Sequence, residues 1–219
     1  MKNINYNLYF VTPQTEDIAQ LEDICLKAAQ GGVDVIQLRY KKPQIRPFLD
    51  AAFRLKEICY KYHIPLIIND CIDVALAVKA DGIHLGQSDM PIDIARQILG
   101  NEAIIGLSIE SLEQIHDPKI QYADYVAISP VFATPSKVDT QTPLGFQGIA
   151  KASQHIHKPI IAIGGIKSEH IQDVFQHGGQ GIAVISAISD AKDIIQSTQN
   201  LKQEISKWHS LKATDPAVF

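Results

Sequence analysis

The chain has 219 residues, of which 46% are hydrophobic and 20% charged, a composition typical of one ordinary globular domain. Its formal net charge of −4 excludes a global positive field for nucleic acid, and no apolar run is long enough to cross a membrane. The cysteines, Cys25, Cys59 and Cys71, are odd in number and lack Cys-x-x-Cys spacing, which argues against a disulfide framework and a structural zinc site.

The first residues, Met1-Lys2-Asn3, lead into a predicted strand without the apolar segment of a secretory signal. We therefore expect a cytoplasmic protein with free thiols. No linker composition divides the chain. The pattern predicts one domain over residues 1–209 and a loosely ordered tail over 210–219.

Short β-branched apolar runs alternate with segments of helical period along the chain. In chain order, the predicted strands are Leu8–Thr12, Val35–Tyr40, Pro65–Asp70, Gly82–Gly86, Ala103–Ser108, Tyr125–Val131, Pro159–Ile166 and Gly181–Ser186. The helical pattern recurs after the last strand, up to Trp208. Eight nearly continuous apolar strands alternating with helices predict an α/β fold, a single (β/α)8 TIM barrel. An open doubly wound sheet is the alternative, but no Gly-x-Gly-x-x-Gly follows the first strand.

Polar residues mark the end of the second predicted strand. Alternation places Gln37, Arg39 and Lys41 on one face, where buried polar groups are costly without a ligand or partners. A salt-bridged barrel mouth is the alternative interpretation. His84, inside the fourth predicted strand, is expected to be a hydrogen-bonded barrel residue rather than an acid or a base.

Carboxylates end the next two strands. Asn69-Asp70 closes the third strand and Asp89 follows the fourth, and the ends of parallel strands meet at one end of a barrel. Two carboxylates about 4 Å apart repel by roughly 4 kcal/mol at an effective dielectric constant near 20, so we expect a cation between them. Mg²⁺ is favoured because the available ligands are oxygens. The alternative is that Asp89 only caps the helix that opens at Pro91.

The later strands end in residues suited to phosphate groups. The fifth ends at Ser108, and the sixth runs into the hydroxyl-rich segment Thr134-Pro135-Ser136-Lys137, which could also be an ordinary solvated loop. Gly164-Gly165 and Ile185-Ser186 close the last two strands, where backbone N–H groups form the recurrent phosphate cup of such barrels. Together these residues predict a site for two anionic ligands. One is a phosphate on the cup of Gly165 and Ser186, and the other is a pyrophosphate leaving group bound through Mg²⁺ and held by Asp70, Asp89, Lys41 and Lys137.

Eight motifs in this order resemble the thiamine phosphate synthase family, from Tyr9 to about Ile188. They are Leu-Tyr-Phe-Val-Thr, Gln-Leu-Arg-x-Lys, Ile-Asn-Asp, Ala-Asp-Gly-Ile-His-Leu-Gly-Gln-x-Asp, Ile-Gly-x-Ser, Pro-Val-Phe-x-Thr-x-Ser-Lys, Ala-Ile-Gly-Gly-Ile and Val-Ile-Ser-Ala-Ile. The resemblance implies a transferase that joins 4-amino-2-methyl-5-hydroxymethylpyrimidine diphosphate to 4-methyl-5-(2-hydroxyethyl)thiazole phosphate. The products would be thiamine phosphate and pyrophosphate, formed by a dissociative route with Mg²⁺.

The resemblance also assigns residues to ligands. The pyrimidine diphosphate would be held by Gln37, Leu38, Arg39, Tyr40, Lys41, Asn69, Ser108 and Lys137. The thiazole phosphate would be held by Thr134, Pro135, Ser136, Gly165, Ile185 and Ser186. One Mg²⁺ per subunit would bind Asp70 and Asp89. The groups implied in catalysis are Arg39, Lys41, Ser108 and Lys137.

Several positions depart from the family pattern, among them Cys71 in place of an arginine, Tyr40 in place of an acidic residue and Ser136 in place of a threonine. The nearest alternative is a thiazole tautomerase of the same superfamily, which works through a histidine where this chain has Glu110. A non-catalytic thiazole-phosphate-binding barrel is another. The partners expected are small molecules, with no nucleic acid and no membrane, and the resemblance alone suggests a homodimer.

Overall fold

The computed structural model describes residues 4–41, 44–134 and 142–214. Eight parallel strands form a closed barrel in chain order, with β8 paired to β1. The strands are β1 Leu8–Val11, β2 Val35–Leu38, β3 Leu66–Asn69, β4 Gly82–Leu85, β5 Ile104–Ile109, β6 Tyr125–Ile128, β7 Ile160–Ile163 and β8 Gly181–Val184. The predicted (β/α)8 barrel is confirmed. Most strands end sooner than predicted, because the polar and glycine residues that follow them turn to form the rim of a cavity.

Helices surround the barrel. They are α1 Ile18–Gly31, α2 Ile45–Tyr62, α3 Ile72–Ala77, α4 Ile92–Leu99, α5 Gly145–His155, α6 Ile171–Gln176, α7 Ser186–Ser189 and α8 Ile194–Thr214. The first begins where the Asp17 carboxylate accepts the Gln20 N–H at 2.9 Å and ends at Gly32, whose φ of 96° is favourable only for glycine.

One connection departs from the predicted strand–helix alternation. Between β5 and β6 the chain forms two 3-10 turns, Glu113–His116 and Pro118–Tyr122, instead of an α-helix. Pro118 has no N–H to continue a helix, and the Asp117 carboxylate caps the second turn through the Lys119 N–H. The α-helical pattern is therefore interrupted here, although the strand that follows is in its expected place.

The last helix runs beyond the predicted limit of the barrel. It continues to Thr214, so residues 210–214 of the predicted tail are helical, while 215–219 lie outside the described residues. Its Trp208 is 4% exposed and stacks on Phe175 with ring centroids 6.3 Å apart. In the part of the chain that the structure describes, every helix is too short or too polar to span a membrane.

Alternation along the strands creates two apolar layers. Residues such as Leu8, Phe10 and Leu38 face outward and pack against the helices. Tyr9, Val11 and their neighbours face inward and fill the lower part of the barrel. Because both faces of each strand are covered, the strands are almost fully buried.

At the amino-terminal end of the barrel, the residue just before every second strand makes the same kind of hydrogen bond. Its side chain accepts the N–H of a residue at the start of the preceding strand, which ties the two strands together. The pairs are Asp34 with Leu8 at 2.8 Å, Asp81 with Leu66 at 2.9 Å, Asp124 with Ile105 at 2.8 Å and Gln180 with Ile160 at 3.3 Å. Asp81 therefore lies at the end of the barrel opposite the carboxyl ends of the strands.

Candidate active site

A cavity of about 330 Å³ opens at the carboxyl end of the barrel strands. Its lining includes charged groups from β2, β3 and β4 on one side and apolar groups from β7 and β8 on the other. The charged side contains Arg39, Lys41, Asp70 and Asp89, and the apolar side contains Ile161, Ile163 and Ala183. The cavity therefore combines a polar half suited to an ionic ligand with an apolar half suited to a ring.

Asp70 and Asp89 lie together at the mouth of the cavity, as predicted. Burial, a hydrogen bond to Asp70 and repulsion by its charge raise the pKa of the Asp89 carboxyl. The Lys41 ammonium forms an ion pair with Asp70. Asp70 itself has a φ of 63°, a backbone conformation that aspartate tolerates better than most residues and that occurs here where β3 gives way to α3.

Asp89 does not cap the following helix. Pro91 is the N-cap of α4, which has no side-chain capping hydrogen bond, and Asp89 instead accepts the Gly86 N–H at 2.7 Å. This bond closes the turn after β4 and aims the carboxylate at the cavity. The alternative that Asp89 is only a helix cap is therefore wrong.

The donor set of this carboxylate pair fits Mg²⁺. Within the described ranges, no third histidine, cysteine, aspartate or glutamate joins Asp70 and Asp89 to form a larger metal-binding group. Two partly exposed carboxylates leave room for the waters and phosphate oxygens that Mg²⁺ retains in many enzyme sites. Their mutual repulsion, which Lys41 relieves only in part, makes a divalent cation favourable there.

The second strand presents the face that alternation predicts. Gln37, Arg39 and Lys41 all line the cavity. Burial lowers the pKa of Arg39, an effect that the nearby Asp70 opposes, and the guanidinium stays charged. Leu38 and Tyr40 are different. Leu38 is fully buried in the outer layer, and Tyr40 stacks on Phe48 with ring centroids 5.1 Å apart, so the side chains of neither residue face a ligand.

That placement limits how Leu38 and Tyr40, two of the predicted substrate contacts, could bind a ligand. Successive side chains of a strand point to opposite faces, so the residues between Gln37, Arg39 and Lys41 must point toward the helices. Any contact of Leu38 or Tyr40 with a ligand would have to come from main-chain atoms.

A buried hydrogen-bonded chain forms the floor of the cavity. Gln37 Nε2 donates to the Tyr9 hydroxyl at 2.9 Å, and the hydroxyls of Tyr9 and Tyr125 are 2.8 Å apart. His84 Nδ1 lies 3.0 Å from the Tyr125 hydroxyl, and its Nε2 lies 2.9 Å from Ser108 Oγ. The prediction that His84 is a hydrogen-bonded barrel residue is confirmed. Burial raises the pKa values of both tyrosines, so they remain neutral phenols.

The turns after β6, β7 and β8 meet on the far side of the cavity. Thr134, Gly165, Ile185 and Ser186 line it together, as does Asn69 across the barrel, whereas residues 135–141, including Pro135, Ser136 and Lys137, lie outside the described residues. Gly165 has a φ of 65°, and a Cβ there would lie 2.8 Å from Phe132 Cβ. Only glycine allows this close approach of the two turns.

Comparison with known proteins decides the family. The family model described as thiamine monophosphate synthase matches residues 8–188, which include all eight strands. The chain belongs to the thiamine monophosphate synthase family. Every described cavity residue predicted from the sequence lies within the matched segment.

Individual members of the thiamine monophosphate synthase family are similar over nearly the whole chain. The thiamine-phosphate synthase of Vibrio campbellii is 45% identical over 188 residues, which cover 86% of this chain and 92% of that protein. That of Syntrophomonas wolfei is 42% identical, with 93% and 98% covered. The solved structure of thiamine phosphate pyrophosphorylase from Pyrococcus furiosus superposes with a TM-score of 0.83 at 32% identity, with 93% of this chain and 97% of that chain covered.

Sequence reasoning missed several cavity residues of this thiamine monophosphate synthase family member. Tyr9, Tyr125, Gln87 and Glu110 line the cavity but were not assigned to the site. For the two tyrosines a signal was present, since a phenol at an inward position of a barrel strand needs a buried partner for its hydroxyl. Gln87, whose amide donates to the Ser108 carbonyl, lies in a turn with no periodic signal.

Proposed function

We propose that the protein is a thiamine phosphate synthase. It would condense 4-amino-2-methyl-5-hydroxymethylpyrimidine diphosphate with 4-methyl-5-(2-hydroxyethyl)thiazole phosphate to give thiamine phosphate and pyrophosphate. The observation that carries the proposal is the placement of Asp70, Asp89, Lys41 and Arg39 on one side of a cavity whose other side is apolar. The similarity to members named thiamine-phosphate synthase supports the same reaction.

The charged side is suited to the diphosphate. Asp70 and Asp89 would hold Mg²⁺, which when bound neutralises charge on the departing pyrophosphate. Arg39 offers a planar set of donors for phosphate oxygens, and Lys41 would exchange its ion pair with Asp70 for the same oxygens. Lys137, outside the described residues, would complete this group. We propose that these charges, rather than a nucleophilic side chain, lower the barrier to loss of pyrophosphate.

The thiazole phosphate would occupy the opposite rim. Thr134 and Ser186 supply hydroxyl groups there, and Ile163 and Ile185 offer apolar contact for a heterocycle. The phosphate would bind main-chain N–H groups of the turns at Gly165 and Ser186, as in other barrels of this kind. Pro135 and Ser136 belong to the same proposed subsite.

The reaction would be dissociative. The bond between the pyrimidine methylene carbon and the diphosphate oxygen breaks first, and both electrons leave with pyrophosphate. The thiazole nitrogen then donates its lone pair to the pyrimidine-methyl cation and forms the new C–N bond. No proton is transferred in either step, in keeping with a cavity in which Ser108 and Asn69 can bind and orient the ring without acting as a base.

One observation also fits a second activity, that of a thiazole tautomerase. Glu110 lines the cavity just after β5, where a thiazole tautomerase would place its proton shuttle. That reaction needs neither a pyrimidine nor the carboxylate pair, so the two activities leave different products.

The deciding experiment supplies purified protein with both substrates and Mg²⁺ and measures thiamine phosphate and pyrophosphate together. The synthase releases the two in equal amounts. Isomerised thiazole phosphate without pyrophosphate would identify the tautomerase, and binding without any product would identify a non-catalytic barrel. Asp81→Asn is the control variant, because it alters an aspartate at the opposite end of the barrel without touching the cavity.

We also propose that this reaction takes place in the cytoplasm. All three cysteines are free thiols, which is the usual state of cysteine in a reducing compartment. The homodimer stays an expectation.

A further inference from the structure

The floor of the cavity contains a continuous chain of five polar side chains whose ends face the ligand space. In order they are Gln37, Tyr9, Tyr125, His84 and Ser108, with links of 2.9, 2.8, 3.0 and 2.9 Å. Each is at most 8% exposed. All five also line the cavity. The three central residues connect Gln37 on β2 to Ser108 on β5 across the barrel interior.

The packing around the chain is tight. A Cβ at position 106 would lie 2.3 Å from the Tyr125 hydroxyl and 2.5 Å from His84 Nδ1, so glycine is required for these two groups to meet. The rings of His84 and Tyr125 are stacked, with centroids 5.6 Å apart. The geometry therefore fixes the positions of the hydrogen-bonding atoms. The direction of the chain depends on which atom of each pair donates.

With the Gln37 amide nitrogen facing Tyr9, the count of donors and acceptors selects one direction. Because Tyr9 already accepts from Gln37 Nε2, its own proton can go only to Tyr125 among its described partners. Tyr125 then donates to His84 Nδ1, and the neutral imidazole carries its proton on Nε2 and donates to Ser108 Oγ. In the opposite direction the Tyr9 hydroxyl would accept twice and leave its proton without a described acceptor at a buried site, which is unfavourable.

This direction determines what the two ends offer to a ligand. Ser108 Oγ accepts from His84 and keeps its own proton for donation into the cavity. Gln37 turns its amide nitrogen toward Tyr9, and its carbonyl oxygen is the group that can accept from a ligand. The cavity thus presents one donor and one acceptor from opposite ends of a single chain.

We propose that His84 is a positioning residue whose Nε2–H tautomer, fixed through Tyr9 and Tyr125, orients the Ser108 hydroxyl as a donor and makes the cavity selective for an amino-substituted pyrimidine. The inference rests on the proposed function and adds the basis of its selectivity. A 4-aminopyrimidine edge has a ring-nitrogen acceptor for Ser108 and an amino donor for Gln37. A 4-oxo analogue has an N–H and a carbonyl at those positions, so donor would face donor and acceptor would face acceptor.

The tautomer is measured first, by ¹⁵N NMR of the protein labelled at histidine, with His84→Asn identifying the resonances. The expected result is a neutral ring protonated at Nε2. A ring protonated at Nδ1 overturns the inference whatever the activity assay shows, because the chain would then run the other way.

Selectivity is measured by titrating the protein with 4-amino-5-hydroxymethyl-2-methylpyrimidine and with its 4-oxo analogue. Losing two matched hydrogen bonds at a buried site should favour the amino compound by about 100-fold. Tyr125→Phe removes the central hydroxyl and keeps the ring, and should reduce this preference to below about 10-fold. Pyrophosphate affinity should not change, because the diphosphate groups lie elsewhere.

Tyr6→Phe is the matched control. Tyr6 lies in the same interior layer and its ring packs 4.9 Å from that of Tyr125, but its hydroxyl is not part of the chain. It should keep the wild-type preference. Equal loss of preference in Tyr6→Phe and Tyr125→Phe, or no preference in a wild-type protein that makes thiamine phosphate, overturns the inference and leaves the proposed function intact. An Nε2–H tautomer in a protein that binds neither pyrimidine and makes no thiamine phosphate overturns the proposed function and the selectivity together.

Discussion

Single residues at the mouth of the cavity are arranged for binding rather than for stability. Asp70 and Asp89 are held close enough to share a hydrogen bond, and Asp70 has a positive φ. Neither feature favours the folded chain in the absence of a cation. The lysine beside them compensates for one charge and would be released when a diphosphate arrives.

Asp89→Asn tests this arrangement through stability. The pKa of Asp89 in the folded protein is raised above 3.8, so its ionisation destabilises the fold once the pH rises above that value. At pH 7 the metal-free variant should melt at a higher temperature than the wild type, and the difference should vanish near pH 3. Mg²⁺ with pyrophosphate should raise the melting temperature of the wild type much more than that of the variant.

Asp93→Asn gives the matched control on the neighbouring helix. Its ion pair with Lys119 lowers the pKa of Asp93, so the neutral variant should be no more stable than the wild type at pH 7. A lower melting temperature for metal-free Asp89→Asn than for wild type would show that the two carboxylates do not oppose each other.

Strands and helices are joined most firmly at the end opposite the cavity. There Asp124 accepts the Ile105 N–H at 2.8 Å and pairs with Arg96, whose guanidinium also donates to the carbonyls of Tyr122, Gly100 and Ala103. Asp34 and Asp81 repeat the motif with Lys202 and Lys56. Structure and chemistry are thus assigned to opposite ends of the same strands, as is usual in this fold.

Asp124→Ala should lower the free energy of unfolding by about 1–3 kcal/mol, because the largely buried Arg96 loses its ion-pair partner and the Ile105 N–H loses its acceptor. Urea denaturation measures the loss, and the Michaelis constants should be unchanged. Asp50→Ala removes a carboxylate from an exposed pair with Arg54 and should cost clearly less, because solvent screens that pair. Equal losses in the two variants would contradict this account of the strand ties.

Some of these elements could be predicted from the sequence and others could not. Inward polar residues at strand ends, such as Gln37, Arg39 and Asp70, could be identified because alternation and parallel pairing are local rules. The connection between β5 and β6 was not identified, because a proline and an aspartate cap override helical period there. The link between Tyr9 and Tyr125 spans 116 positions, and no local pattern encodes which inward side chains meet across a closed barrel.

Two features join the start of the chain to its end. One is the pairing of β8 with β1, and the other is the packing of the final helix against the first. α8 packs against α1 and α6, and its Trp208 is buried beside Phe175 far from the cavity. The last helix therefore secures the first and last quarters of the barrel to each other.

Trp208→Ala should lower the free energy of unfolding by about 3–5 kcal/mol through the cavity it leaves, while the folded variant keeps its affinity for both substrates. Leu211→Ala on the same helix, where the side chain is 55% exposed, should change stability by less than about 1 kcal/mol. Circular dichroism during urea denaturation measures both. A Trp208→Ala protein as stable as the wild type would show that α8 does not secure the barrel.

The most direct test of the central claim is a calorimetric titration of pyrophosphate into the wild-type protein and into Asp89→Ala, each with and without Mg²⁺. The account predicts that Mg²⁺ strengthens pyrophosphate binding to the wild type by about 10-fold or more and that this gain is lost in the variant. Pyrophosphate binding that responds equally to Mg²⁺ in both proteins would contradict the assignment of the carboxylate pair as the metal site.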